Sequence, residues 1–406
     1  MITGPLPTTV DDMETETFEV ARRLVEGFPK NPNALSLMAN VQSQYDHTSE
    51  AEKWWRRSLE QDPEHANSHF GLSAIAMKKG EFEKAAELWR KLEEIHPDAP
   101  GFHCRHGEAL LEAGEYQEAI SLLHQEIAIS PNNGESYFLL GRAYLQLKAY
   151  EKAAENYERA HEIKPDESRT CYGLSVAYAR LGQTDKAAQF REKFDKLRAT
   201  EDRAISKRRA TSFNLDWATQ VLARTHTGAG IVHSRAGQWT EAEAHWRRAA
   251  RIGPNSRACR HELADLYEKS GHLAEAVEIC EQLRRIDPGV ADYHLTAGIL
   301  HARLRHWNTA EEALRKTIEL APEEPDAYRN LVQVLVTANR KLSEAKAVAR
   351  KLTELEPNAA NFFGLGQVCE RHGDLVDALA AMQRAAELAP DSEEIAKACR
   401  RLRQRQ

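Results

Sequence analysis

Apolar and polar positions alternate along most of this chain with the spacing of an α-helix. Within residues 134–167, one apolar stripe consists of Tyr137, Leu140, Gly141 and Tyr144. A second stripe consists of Ala153, Tyr157 and Ala160. Steps of three or four residues predict two amphipathic helices. Pro165 ends the second helix because proline has no N–H and its ring clashes one turn back. The segment therefore predicts a helix–turn–helix unit that closes at a proline.

The same unit recurs along the chain with a period of 34 residues. Its closing prolines are Pro29, Pro63, Pro97, Pro131, Pro165, Pro254, Pro288, Pro322, Pro357 and Pro390. The predicted repeats run over 32–65, 66–99, 100–133, 134–167, 168–201, 223–256, 257–290, 291–324, 325–358 and 359–392. A period in this range indicates one supersecondary unit stacked on its copies, so that each unit buries its apolar face against its neighbours.

Small residues recur at two positions of the unit, where its helices must approach closely. In residues 134–167 these are Gly141 and Ala153. The corresponding pairs are Ala39/Ala51, Ser73/Ala85, Gly107/Ala119, Gly230/Ala242, Ala264/Ala276, Gly298/Ala310 and Gly366/Ala378. With the aromatic, leucine and proline positions, this pattern resembles the tetratricopeptide repeat family over roughly residues 15–392. The resemblance implies an all-α fold, a right-handed superhelical α-solenoid of about ten repeats.

The repeat boundaries divide the chain into five segments. The sequence predicts a flexible N-terminal tail at 1–14, a first array at 15–201, a joining extension at 202–222, a second array at 223–392 and a capping helix at 393–406. A polar outer face on the last helix is what a terminal repeat needs to remain soluble.

The first array begins with an incomplete unit. Phe18, Ala21 and Leu24 precede Pro29 with helical spacing, so they predict a second helix without its first.

The regular spacing is interrupted between Pro165 and Pro254, which are 89 residues apart, or two periods and 21 further residues. A charge-rich helical stretch predicts one long second helix running to about Ala210, followed by a first helix that begins early. The basic cluster Lys207, Arg208 and Arg209 is interpreted as a solvated face. The alternative is a docking arm for an acidic partner, or a homodimer contact through the helix at 186–211.

Composition narrows the class of protein. The formal net charge of −7 argues against a nucleic-acid partner, because such proteins carry a basic surface. No apolar run is long enough to cross a bilayer, and the first residues do not resemble a secretory signal. The six cysteines form no C-x-x-C pair, which favours reduced thiols in a cytoplasmic protein.

The sequence contains none of the standard phosphate-binding or catalytic motifs, so we expect no cofactor and no enzymatic activity. His103 and His106 lie one helical turn apart, and His69 is expected on a neighbouring helix. These three side chains are either a metal site or hydrogen-bonded core histidines, and the sequence favours the second interpretation.

In the family, the first helices of the repeats line a concave groove in which peptides bind. The resemblance implies that positions five, nine and thirteen of each repeat face this groove. The predicted peptide-binding residues are Asn40, Phe70, Arg105, Phe138, Arg142, Tyr172, Arg180, Arg235, Lys269 and Arg303. Aromatic residues interleaved with arginine favour an extended peptide of acidic character. A basic residue at position thirteen is common in the family, so the stripe is also explained by solubility alone.

The sequence therefore predicts a non-enzymatic adaptor that binds a partner protein or peptide in its groove. The alternative is a targeting subunit or domain of a transferase or peptide-processing complex, in which a separate component carries out catalysis. The repeats occupy nearly the whole chain and leave no room for a catalytic domain of about 100 residues.

The close approach of the paired helices is testable by overpacking. Ala153→Phe is expected to lower the free energy of unfolding by about 1–3 kcal/mol, because the larger side chain forces the two helices apart. Urea denaturation measures the change, and an unchanged midpoint would contradict the assignment of this position.

Overall fold

The computed structural model describes residues 4–97, 99–210, 213–339 and 341–405, without the side chains of 204–210 and 213–214. Within these residues the chain forms 22 helices that pair as antiparallel hairpins. This confirms the predicted all-α solenoid of tetratricopeptide type. None of the helices in these ranges is both long and apolar enough to span a bilayer.

The chain divides into two compact units, of which the first ends at Gly253 and the second begins at Pro254. The helices of the first unit are α1 Val10–Gly27, α2 Pro32–Gln44, α3 Thr48–Gln61, α4 Ala66–Lys79, α5 Phe82–Ile95, α6 Phe102–Ala113, α7 Tyr116–Ile129, α8 Gly134–Gln146, α9 Tyr150–Ile163, α10 Ser168–Arg180, α11 Thr184–Ala210, α12 Phe213–Arg235 and α13 Trp239–Ile252.

The second unit has the same alternation of first and second helices. Its helices are α14 Ala258–Lys269, α15 Leu273–Ile286, α16 Ala291–Arg303, α17 Trp307–Leu320, α18 Pro325–Thr337, α19 Leu342–Leu355, α20 Ala359–His372, α21 Leu375–Leu388 and α22 Glu393–Arg405. The final helix, α22, buries Ile395, Cys399 and Leu402 against the preceding repeat.

The predicted close approach of the paired helices is present and involves a large side chain from the second helix. The ring of Tyr157 lies so close to Gly141 of its own repeat that a Cβ there would be 2.6 Å from it. The same ring lies equally close to Gly173 of the next repeat, where an added Cβ would again be 2.6 Å away. One tyrosine thus fills the space between three helices, and both glycines are required by packing rather than by backbone conformation.

The same arrangement occurs elsewhere in both units. Trp246 lies against Gly230 in the first unit, and Leu314 lies against Gly298 in the second, with Cβ distances of 2.4 and 2.7 Å. Burial of the large partner is nearly complete, since Trp246 is 2% exposed. The stack therefore depends on pairing one bulky residue with one position that lacks a side chain.

The first unit closes through contacts between residues more than 200 positions apart. Met13 of α1 belongs to one apolar cluster with Leu222 of α12 and Ile252 of α13. Val20 of α1 packs in a second cluster with Ala229 of α12. The half-repeat predicted at the N-terminus therefore does have a first helix beside it, and that helix is α12, which also pairs with α13. The repeat at 223–256, assigned to the second array from the sequence, packs within the first unit for this reason.

The N-terminal segment is included in this closure. Helix α1 begins at Val10, inside the range predicted to be a tail. The carbonyl oxygens of Gly4 and Pro5 accept hydrogen bonds from the Arg248 guanidinium at 2.5 and 2.7 Å.

Helix α11 has the predicted length and explains why α12 does not stack on it. Arg191 occupies the position that holds Tyr157 in the preceding repeat. The partly buried stripe that includes Ala187 and Phe190 packs mainly on α10 of the same repeat, and no residue of 184–203 is fully buried. The other side of α11 offers no apolar surface to a following helix, so the first stack ends here and α12 covers α1 instead.

The packing role of the glycines generates a matched pair of substitutions. Gly173→Ala places a Cβ 2.6 Å from the Tyr157 ring, so we expect it to lower the free energy of unfolding by about 1–3 kcal/mol. At Gly364, also within a helix, a Cβ meets nothing within 4 Å. Gly364→Ala is therefore expected to stabilise by up to about 1 kcal/mol through helix propensity. Urea denaturation of both variants tests this, and a shift of the same sign would contradict the packing account.

Candidate functional site

The candidate site is the exposed side of the first helices of the repeats, here called the groove face. In the first unit, α2, α4, α6, α8 and α10 contribute to it. Their buried positions face the second helices, so the residues left exposed are those available to a partner. Eight of the ten predicted binding residues belong to the first unit, and Lys269 and Arg303 belong to the second.

Two predicted aromatic residues are exposed on the groove face. Phe70 on α4 is 52% exposed, and Tyr172 on α10 is 47% exposed. One edge of Phe70 rests on Trp89 with ring centroids 5.4 Å apart, and Tyr172 lies 5.4 Å from Phe194. Each ring is thus held from behind while its outer side meets solvent. A half-exposed ring held in this way is suited to bury apolar surface of a partner at low entropic cost.

The third predicted aromatic, Phe138, has a different position. It is 7% exposed, packs on Tyr157 and is covered by the Arg169 guanidinium, 4.2 Å from the ring centroid. Arg169 is itself held by ion pairs with Glu135 and Glu167. Phe138 therefore lies in the core, and its ring is not available on the groove face. A bulky residue at position five is buried whenever the next repeat supplies a side chain that covers it.

The predicted basic residues are largely paired with acidic neighbours. Arg142 contacts Glu112 of the preceding repeat at 2.7 Å, and Arg105 contacts Glu108 at 2.9 Å. In the second unit the corresponding pairs are Arg303–Glu268 at 2.8 Å and Lys269–Asp265 at 2.7 Å. Each of these partly exposed pairs contributes little to stability. Their main consequence is that the groove face carries much less free positive charge than the sequence suggests.

The remaining predicted residues differ in their partners. Asn40 is exposed on α2, and Arg180 is exposed at the end of α10, where it has no ion pair within the described part of the chain. Arg235 of α12 donates a hydrogen bond to the Asn33 side chain at 3.0 Å. This contact places Arg235 beside α2, at the start of the first array. Two features of the sequence indicated this placement, a half-repeat without its first helix and an early start of α12.

The three histidines considered as a metal site form hydrogen bonds with different groups. His103 and His106 each contact one oxygen of the Glu93 carboxylate through Nδ1, both at 2.8 Å. His69 instead contacts the carbonyl oxygen of Pro63 through Nε2 at 2.7 Å. In the ranges that the structure describes, no three histidine, cysteine or acidic side chains are grouped to hold a metal ion.

The six cysteines are all buried and unpaired. Burial raises the pKa of the Cys104 thiol to about 11 and that of Cys280 to about 12. Such thiols are protonated at neutral pH, and the thiolate is the reactive form. The geometry therefore gives these two side chains a packing role.

The long helix α11 bears on the predicted homodimer contact at 186–211. Residues on its exposed side between 184 and 203 are mostly charged or polar, so this part offers little apolar area for a dimer. The side chains of Lys207, Arg208 and Arg209 lie outside the described residues.

Family models of the tetratricopeptide repeat match residues 104–168, 295–360 and 337–393, residues 234–299, and residues 168–193. A model of anaphase-promoting complex, cyclosome, subunit 3 matches residues 44–126.

Curated relatives share part of the chain. The cellulose synthase operon protein C of Pseudomonas fluorescens is 24% identical over 184 residues, which are 41% of this chain and 14% of the relative. Human Protein O-mannosyl-transferase TMTC1 is 23% identical over 44% of this chain and 21% of its own length. The TPR repeat-containing thioredoxin TTL4 of Arabidopsis thaliana is 31% identical over 33% of this chain and 20% of its own length. The chain thus spans about a fifth or less of these relatives.

Similar solved structures include two repeat proteins. YrrB, described as a TPR protein with an unusual peptide-binding site, is 17% identical over 47% of this chain and 97% of its own, with a TM-score of 0.39. Yeast Tom70 is 16% identical over 92% of this chain and 95% of its own, with a TM-score of 0.33. Since tetratricopeptide models match over more than half of its residues, the chain belongs to the tetratricopeptide repeat family.

Proposed function

We propose that the first unit binds an extended segment of a partner protein along its groove face, with Phe70 and Tyr172 as anchors and Arg180 as a polar contact. Proteins of this family generally act as protein-binding scaffolds. The observation that carries the proposal is the exposure of two aromatic rings on first helices of one unit, when most large apolar residues there are buried. Exposed apolar side chains that are supported from behind are typical of binding surfaces.

The charge arrangement refines the chemistry of the proposed partner. The pairs Arg142–Glu112 and Arg105–Glu108 neutralise two of the arginines that favoured an acidic peptide. A partner carboxylate would have to displace an existing glutamate from these arginines, which offers little net gain. Arg180 has no such competitor within the described residues. The proposed partner therefore contributes apolar or aromatic side chains, with an acidic group opposite Arg180.

The second candidate function is a targeting part of an enzyme complex. It is supported by the names of two relatives, a Protein O-mannosyl-transferase and a thioredoxin, of which this chain matches about a fifth. In this candidate the groove face binds a substrate protein, and the catalytic component is separate. Both candidates place the same residues at the binding surface. A cytoplasmic location and a homodimer through α11 remain predictions from the sequence.

The proposed anchors are tested with a library of random linear peptides displayed against the purified chain. Enriched peptides are expected to carry apolar or aromatic residues. The Phe70→Ala/Tyr172→Ala double variant is expected to lose at least about 2 kcal/mol of binding free energy, roughly thirtyfold in Kd. The measurement is the Kd of an enriched peptide by fluorescence anisotropy.

Trp239→Ala is the matched control, because Trp239 is 56% exposed but lies on a second helix, α13. It should leave the Kd unchanged. Full binding by the double variant, or equal loss in the control, would contradict the assignment of the groove face.

Free energies of unfolding test whether Phe138 lies in the core while Phe70 and Tyr172 lie on the surface. Phe138→Ala is expected to lower the free energy of unfolding by about 3–5 kcal/mol, because it leaves a cavity beside Tyr157. The Phe70→Ala and Tyr172→Ala changes should each cost about 1 kcal/mol or less, since these rings are half exposed. Urea midpoints of the three single variants provide the comparison, and equal losses would show that all three rings are structural.

A further inference from the structure

Four buried polar side chains join α1 to α12 and α13, and we call them the clasp: Glu16, His226, His245 and Arg248. Exposures are 9% for Glu16, 1% for His226, 7% for His245 and 1% for Arg248. Arg248 donates from Nε and Nη2 to the two oxygens of Glu16, at 2.9 and 2.8 Å. His226 Nε2 lies 2.9 Å from Glu16 Oε1, and His226 Nδ1 lies 2.9 Å from His245 Nδ1. The hydrogen bonds from His226 and Arg248 to α1 all end on the Glu16 carboxylate.

These distances fit an arrangement of protons in which Glu16 is ionised and both imidazoles are neutral. Ionised Glu16 accepts only, so His226 must donate from Nε2 and must carry its lone pair on Nδ1. His245 must then donate from its own Nδ1 to His226. Both imidazoles are neutral in this arrangement, and the charge of Glu16 is balanced by Arg248 alone. A proton added at His226 Nδ1 requires His245 to move its own proton to Nε2, and it places a second positive charge beside Arg248 in a buried cluster.

The residues around the clasp also disfavour an additional positive charge on its histidines. His233 of α12 stacks on His245 with ring centroids 5.3 Å apart, and its Nδ1 contacts Gln238 at 2.6 Å. Arg248 and Arg251 of α13 both act on His226 with positive charge, and Glu16 of α1 is the acidic group that faces the cluster. Helix α2, which also packs on α12, contributes Leu37 and Asn33 there, and both are neutral. An additional positive charge in the clasp therefore has no free acidic partner.

We propose that the clasp is an acid-labile closure, so that mild acidification releases α1 from α12 and α13 while the stacked repeats remain folded. This closure is independent of the proposed binding function. Release would uncover the apolar surface of α12 that Met13 and Val20 cover.

The direction of the pH dependence follows from proton binding. Burial lowers the pKa of His245 to about 3, and burial also lowers the pKa of His226. Protons therefore bind preferentially to the released state, and the closed state loses stability as the pH falls below about 6.5, the ordinary histidine pKa. Burial opposes ionisation of Glu16, but hydrogen bonds from His226 and Arg248 lower its pKa to about 2. Glu16 therefore stays ionised and weakens the clasp only at lower pH.

The expected size of the effect is large. A histidine that is neutral when closed and titrates normally when released favours release by about 25-fold between pH 7 and pH 5. His245, whose pKa in the closed state is about 3, contributes this factor, and His226 acts in the same direction.

Hydrogen exchange of the full chain, followed by mass spectrometry and corrected for intrinsic rates, tests the proposal at pH 7 and pH 5. Protection in residues 10–27 is expected to fall by at least about 25-fold, whereas α8 and α9 keep theirs. Equal loss of protection in α1, α8 and α9 would show general acid unfolding and overturn the proposal. Unchanged protection in α1 would overturn it as well.

Variants separate the clasp from other titrating groups. His245→Asn keeps an N–H donor close to the position of Nδ1 but does not titrate, so the pH effect on α1 should become about 25-fold smaller. His124→Asn removes an exposed histidine of α7 and should leave the effect at its full size. If His245→Asn does not fold, His226→Gln takes its place, because glutamine retains a donor toward Glu16. A pH response of full size in the folded clasp variant would refute the assignment.

Discussion

The stack depends on placing one bulky side chain of a second helix against first-helix positions that have no side chain. Tyr157 is the clearest instance, because its ring occupies the space that a Cβ would need at both Gly141 and Gly173. Interiors are packed as densely as organic crystals, so such a position tolerates few alternatives. The spacing of 34 residues matters because it returns this pair of positions to the same interface in each copy. The exposed helix faces, including the groove face, are positioned by these contacts.

The repeat pattern predicted the fold because it depends on interactions between residues that are close together in the sequence. Helix spacing, closing prolines and small residues at Gly141 and Ala153 all act within one unit or its neighbour. The length of α11 was also predictable, since the stretch from Thr184 to Ala210 contains no proline. The closure of the first unit was not predictable in the same way, because Glu16 and Arg248 are 232 residues apart and belong to no common motif. The unpaired half-repeat around Phe18 and the early start of α12 were the two signals of this closure in the sequence.

The predicted groove residues differ in their exposure and in their partners, and repeat numbering accounts for only part of this. Repeat numbering locates Phe70 and Tyr172 correctly on exposed sides of first helices. It cannot tell that Phe138 is covered by Arg169, or that Arg142 is paired with Glu112, because both depend on side chains one repeat away. Side chains of the neighbouring repeats therefore decide whether a residue at a given repeat position is exposed, covered or paired. In this chain they neutralise part of a stripe that looks cationic in the sequence.

Helix α12 is shared by α1 and α13, and this arrangement has a consequence for how the protein folds during synthesis. The first five repeats can stack as they leave the ribosome, since each needs only its neighbour. Helix α1 can pack on α2 early, but its surface around Met13 and Val20 stays uncovered until α12 and α13 have been synthesised, more than 200 residues later. Until then the nascent chain exposes an apolar surface that the finished protein buries.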